Sequence, residues 1–280
     1  MKILTMHYCL KILVLFAIST LVQCSNSETL LPERGICAHR GENKTNPENT
    51  LSAFGAAVKL GAQMIEFDVR LTKDKIPVIM HDKSVDRTTN GTGLVSELMF
   101  QEIRTFDAGS WKSGKFKGEK VPTLPEVLDV IPGNIWMNIH LKGDKELGMV
   151  VAKTILERGQ TKHAVIACNR EVLEGVKTVG DEFIICNMER QGNRSEYVTE
   201  TINSKFPFIQ LLIKRKDETL AGDIKRLNDN SVKVNYYHSE TAEETTNLFN
   251  MGVDFVLTNN LDEMLSVAES IGIKRVKSAK

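Results

Sequence analysis

From residue 34 onward, short apolar runs alternate with longer stretches in which apolar residues recur every three or four positions. The runs are Gly35-Ile36-Cys37-Ala38, Met64-Ile65-Glu66-Phe67-Asp68-Val69, Ile135-Trp136-Met137-Asn138-Ile139-His140-Leu141 and Ala164-Val165-Ile166-Ala167-Cys168. Phe183-Ile184-Ile185-Cys186-Asn187, Phe208-Ile209-Gln210-Leu211-Leu212, Val232-Lys233-Val234-Asn235-Tyr236 and Asp254-Phe255-Val256-Leu257 complete a set of eight. The intervening stretches, such as 48–60, 144–158 and 242–251, carry the helical period. Near-continuous apolar strands alternating with amphipathic helices predict an α/β fold with a parallel sheet covered by helices. Eight such units within 34–273 fit a closed (β/α)8 barrel, whose usual length is about 250 residues. An open doubly wound sheet is the alternative, but no Gly-x-Gly-x-x-Gly opens a helix here.

Two segments break the alternation. Between Asp68 and His81 no helical pattern occurs, and the polar Lys73-Asp74-Lys75 reads as the turn of a hairpin that brings His81 back beside Asp68. Residues 83–121 are Gly-rich and hold Phe106, Trp111 and Phe116, so a small inserted subdomain over the barrel mouth is expected after the second strand.

Composition adds bounds rather than chemistry. Lys+Arg and Asp+Glu each total 36, so no global field draws the chain to nucleic acid or to an anionic membrane. Residues 1–24 hold a short charged start and the apolar Ile12-Leu13-Val14-Leu15-Phe16-Ala17-Ile18, the pattern of a secretory signal. Leu21-Val22-Gln23-Cys24 resembles a lipoprotein processing site, although Gln23 stands where a small residue is expected. Export is the expectation, as a periplasmic, membrane-anchored lipoprotein or secreted protein, with membrane contact only through a lipid at Cys24. The basic end of the chain, from Lys274, reads as a frayed terminus. Cys37, Cys168 and Cys186 lie in apolar runs without zinc or disulfide spacing and read as small core residues.

The chemistry-bearing residues cluster at the ends of the early strands. His39-Arg40-Gly41, Pro47-Glu48-Asn49-Thr50, Glu66-Phe67-Asp68 and His81-Asp82 follow one another within a short span. In a parallel barrel the site lies at the C-terminal ends of the strands, where His39, Asp68 and His140 fall. Glu66 and Asp68 are two apart on one strand and point to one face, and a bound cation is the usual reason such a pair persists. Two histidines converging on that pair suggest acid and base roles, and Arg40 suits the charge on phosphoryl oxygens. Asp82 reads either as an orienter of a ring or as a cap of the next turn, and the cap is preferred.

Together these segments resemble the glycerophosphodiester phosphodiesterase family, as do Thr72-Lys73-Asp74, Phe106-Asp107-Ala108-Gly109-Ser110-Trp111 and Val121-Pro122-Thr123-Leu124-Pro125-Glu126-Val127-Leu128. The resemblance is dense over residues 34–142 and loose beyond. It implies a metal-dependent phosphoric diester hydrolase that converts a small-molecule glycerophosphodiester to glycerol 3-phosphate and an alcohol, by way of a cyclic phosphate. It further implies His39 and His81 as general base and acid, Arg40 and Lys142 on the phosphate, and Glu66 and Asp68 as ligands of Mg²⁺ or Ca²⁺.

Two departures stand out. His140 occupies the position of the family's third carboxylate ligand, in Asn138-Ile139-His140-Leu141-Lys142. It would ligate a metal and favour Mn²⁺ or Zn²⁺, or contact phosphate, or mark a site that has lost metal and rate. The later strand ends, with Tyr236-Tyr237-His238 and Thr258-Asn259-Asn260, also differ, which makes Asn187, Arg190, Gln210 and Tyr236 either head-group contacts or strand-end caps. Three functions therefore compete. The first is an exported glycerophosphodiester phosphodiesterase. The second is a phospholipase D-like enzyme on lysophospholipid or sphingolipid, which would need an apolar trough around Phe106, Trp111 and Phe116. The third is a catalytically weakened phosphodiester-binding barrel.

Overall fold

The computed structural model describes residues 31–190, 192–215 and 217–277, so the segment expected to be a secretory signal, with Cys24, lies outside the described residues. In chain order the elements are β1 (Gly35–His39), α1 (Leu51–Leu60), β2 (Met64–Leu71), β3 (Pro77–Ile79), α2 (Phe100–Thr105), α3 (Leu124–Val130), β4 (Trp136–Leu141) and α4 (Lys145–Glu157). They continue with β5 (Ala164–Cys168), α5 (Arg170–Lys177), β6 (Ile184–Asn187), α6 (Arg194–Asn203), β7 (Phe208–Leu212), α7 (Leu220–Asp229), β8 (Lys233–Tyr237), α8 (Ala242–Met251), β9 (Phe255–Thr258) and α9 (Leu261–Ser270). All strands except β3 run parallel, and β1 pairs with both β2 and β9. That double pairing closes the (β/α)8 barrel.

Closure explains why the strands read as unbroken apolar runs. Each buries both faces. Ile36, Ala38, Ile65 and Phe67 pack outward under the helices, while Cys37, Met64, Trp136, Cys186, Phe208 and Phe255 fill the barrel interior. The thiols of Cys37, Cys168 and Cys186 are unbridged and buried, and burial pushes all three up from the ordinary thiol range. The floor is sealed by the Trp136 ring edge-on to Phe208 at 5.6 Å, with Trp136 Nε1 donating to Pro32 O at 2.8 Å. Contrary to the frayed end expected, the chain from Lys274 docks beneath this floor. Gln63 Nε2 donates to Lys274 O at 2.8 Å and Val276 N to Gly61 O at 2.9 Å.

The helix expected from residue 48 begins at Leu51 instead. Thr50 takes the N-cap, its hydroxyl accepting from Ala53 N, which leaves Pro47-Glu48-Asn49 as loop. The hairpin forms as predicted: β3 returns antiparallel with Val69 opposite Ile79, and Met80 N donates to Asp68 O at 2.9 Å. The insertion has its own small core of Val85, Val95, Ile103, Ala108 and Val121, seated on Val78 and Met80 of the hairpin. Among the described residues, no helix is long and apolar enough to cross a membrane.

Candidate active site

The β1–α1 connection sets the first part of the site. Arg40 and Gly41 both adopt left-handed backbone, with φ of 56° and 80°. A Cβ at Gly41 would lie 2.7 Å from the backbone of Ala53, so only glycine lets this turn sit against α1. The turn aims Arg40 N at Glu66 Oε2, at 3.1 Å. Asn49, at φ 58°, spans back to β2: its Nδ2 donates to Asp68 Oδ2 at 3.1 Å, and its Oδ1 accepts from Asp68 N at 3.4 Å.

One pocket is lined by His39, Arg40, Glu66, Asp68, His81, His140 and Lys142, and Arg190, Gln210, Tyr237 and Leu257 close its far side. The strand pairings explain the gathering. His39 is level with Glu66, and Asp68 is level with His140 across adjacent strands. Glu66 and Asp68 are almost wholly buried, on the same face of β2.

Electrostatics separate these two acids. Burial, reinforced by the charge of Asp68, raises Glu66 above the usual carboxylate range. Burial would raise Asp68 too, but the hydrogen bond from His140, with the charges of Lys142 and Arg40, holds it well below that range. Lys142 Nζ and Arg40 Nε each lie 3.4 Å from an Asp68 oxygen. His140 Nδ1 stands 3.4 Å from Asp68 Oδ1 and 3.8 Å from Glu66 Oε1. One ligand atom from each of Glu66, Asp68 and His140 lies within 4.8 Å of the others. Two carboxylates and an imidazole that burial keeps neutral, lowered to about 4, fit a divalent cation.

The two other histidines are held differently. His39 Nδ1 is hydrogen-bonded to Asn259 Oδ1 at 2.7 Å, an acceptor, which fixes the proton on Nδ1 and leaves Nε2 4.0 Å from Glu66 Oε2. Asn259 is itself fixed, its Nδ2 donating to Glu240 Oε1 at 3.0 Å. Burial, then the charge of Arg40, lowers His39 to about 4. His81 pairs through Nδ1 with Asp82 Oδ1 at 2.6 Å. Arg87 clamps Asp82 at 2.6 Å and Glu48 at 2.8 Å, and Glu48 also takes Arg40 Nη1 at 2.8 Å. Asp82 therefore orients a ring, and the turn cap preferred from sequence is corrected.

Of the four residues expected at the substrate side, Arg190 and Gln210 reach the pocket. Asn187 and Tyr236 do not. Asn187 follows the inward-facing Cys186 and so turns outward, where its Nδ2 donates to Thr201 Oγ1 at 2.9 Å and its Oδ1 accepts from Glu189 N at 2.9 Å. Tyr236 is fully buried beneath the helices, while its neighbour Tyr237 faces the pocket, its ring edge-on to His39 with centroids 5.3 Å apart. Nor do Phe106, Trp111 and Phe116 of the insertion line this pocket. Phe106 packs against the insertion's own core, and Trp111 ties its Nε1 to Ala108 O at 2.8 Å. The roles of Glu48, Asn49, Arg87 and Asn259 were missed. Glu48 and Asn49 stood inside a quoted motif, whereas Asn259 meets His39 across 220 positions of chain.

A parallel barrel whose mouth gathers two oriented imidazoles, an arginine and a lysine around a buried acidic pair that could hold a cation has the groups a phosphoric diester hydrolase needs. The comparisons carry this further. The chain belongs to the glycerophosphoryl diester phosphodiesterase family, whose model matches residues 39–221. It is 32% identical over 246 residues to a glycerophosphodiester phosphodiesterase of Caldanaerobacter subterraneus, covering 85% of this chain and 98% of that one. A phosphodiesterase of Oleispira antarctica, solved in complex with its product sn-glycerol-3-phosphate, superposes with a TM-score of 0.74 at 25% identity, over 84% of this chain and 96% of that chain. The glycerophosphodiester phosphodiesterase of Agrobacterium tumefaciens gives 0.73 at 27% identity, over 83% and 99%.

Proposed function

We propose that this protein is an exported, metal-dependent glycerophosphodiester phosphodiesterase, adding water to a glycerophosphodiester to release glycerol 3-phosphate and an alcohol. The observation that carries the reading is the pairing of two differently held imidazoles around one acidic cradle. His39, with its proton on Nδ1, offers Nε2 as the acceptor for the attacking oxygen's proton. Its depressed pKa keeps it neutral, and hence able to accept, near pH 7. His81, oriented through Nδ1 by Asp82, supplies a proton from Nε2 to the departing alcohol oxygen. Arg40 and Lys142, now resting against Asp68, bind the phosphoryl oxygens.

Glu66, Asp68 and His140 would hold the divalent cation, which when bound offsets charge on the phosphoryl oxygens. The imidazole in that set favours Mn²⁺ or Zn²⁺ over Mg²⁺ or Ca²⁺. The product-bound Oleispira enzyme supports glycerol 3-phosphate as one product here. Export rests on the leader alone, with either a lipidated Cys24 or a free secreted form.

The test is hydrolysis of glycerophosphocholine after chelation and metal add-back. Metal-restored release of glycerol 3-phosphate, strongest with Mn²⁺ or Zn²⁺, is expected. No turnover of any glycerophosphodiester with any of the four metals would refute the reading.

A further inference from the structure

Beside the catalytic pocket lies a larger cleft, of about 620 Å³ against about 160 Å³. Small-molecule sites commonly measure about 300–1,000 Å³. The catalytic pocket suits the phosphoryl centre and a short attached piece, and the adjoining cleft offers room for the rest of a diester. Lys142 lines both cavities. Arg70 ties them together from beneath: its Nε and Nη2 donate to His81 O at 3.0 and 2.7 Å, and its Nη1 donates to Lys142 O at 3.0 Å. The cleft thus opens on the side of His81, from which the leaving oxygen receives its proton in the reading above.

Leu71, Leu94, Val95 and Leu147 give the cleft an apolar lining. Lys75 and Lys83 line it as well. Of the acids at the edge, Asp144 is spent as the N-cap of α4, accepting from Glu146 N and Leu147 N. Glu146 pairs with Lys75 at 2.7 Å, but both side chains are largely exposed, so that pair is weak and open to exchange. Lys83, two residues past His81, is exposed and has no ion pair among the described residues. The balance is cationic.

Resting on the phosphodiesterase reading, we propose that this cleft receives the alcohol half of the diester and selects alcohols that carry a second phosphate. The apolar lining takes the carbon skeleton of the alcohol. Lys83 and Lys75 take the phosphate.

The test compares kcat/KM for glycerophosphoinositol 4-phosphate and glycerophosphoinositol, which differ only in that phosphate, at low salt. The wild type is expected to favour the phosphorylated substrate by about tenfold or more. Lys83→Glu should abolish the preference, and Ser96→Glu, at an exposed cleft position, should weaken it. Both should leave glycerophosphoinositol unchanged within about twofold, and the wild-type preference should fade as salt rises. Equal wild-type efficiency on the two substrates overturns the proposal, as does an equal fall on both in both variants. Cleavage of glycerophosphocholine but of neither inositol substrate also overturns it, and leaves the phosphodiesterase reading standing. Failure on all three would overturn both.

Discussion

The mouth of the barrel divides into two unequal sectors. Over β1, β2 and β4 the strand-end polar residues His39, Glu66, Asp68 and His140 point inward and contact one another, with Arg40 and Lys142 laid across them. Over β6 to β8 the strand-end polar residues are largely spent on the scaffold. Asn187 braces α6 and Tyr236 is core, while Gln210, Arg190 and Tyr237 face the pocket. The same fold position therefore gathers titratable groups around one pocket in one sector and braces the scaffold in the other. What separates them is company: an inward acid pair is unfavourable unless cations share the site, whereas an outward Asn needs only a nearby hydroxyl.

The sharpest way to break the comparison is His81→Ala. We expect kcat to fall by about 100- to 10,000-fold with thermal stability unchanged, and Asp82→Asn to cost about tenfold or more through the ring's orientation. Near-normal turnover in His81→Ala would make the second histidine structural. Next comes His140→Ala, which should weaken Mn²⁺ or Zn²⁺ binding by at least about tenfold in calorimetry. Unaltered affinity would move His140 from the cation to the phosphate. The smallest effects belong to the other sector. Asn187→Ala should cost about 1–3 kcal/mol in urea unfolding while leaving kcat/KM within about twofold. A raised KM at unchanged stability would return Asn187 to the site.

The contrast also explains what could be read from the sequence. The barrel was legible because eight apolar runs recur between amphipathic helices, and the hairpin because Lys73-Asp74-Lys75 interrupts without helical period. The reactive sector was legible because Glu66 and Asp68 share a strand and His39 and His81 bracket them in sequence. Helix entry was misjudged at Glu48, since three polar residues look like a first turn until Thr50 is seen capping. Tyr236 and Tyr237 could not be told apart by type, because only the strand's pleat decides which enters the pocket. The orientation of His39 by Asn259 was hidden by distance along the chain, which only barrel closure between β1 and β9 removes.

The central claim is that the β1–β4 sector performs the reaction rather than merely binding a phosphate. The direct measurement sets His39→Ala against the wild type, with Mn²⁺ present, in two assays: affinity for glycerol 3-phosphate, and its release from glycerophosphocholine. The account predicts affinity within about threefold of wild type and release slower by about 100-fold or more. Release at the wild-type rate would contradict it.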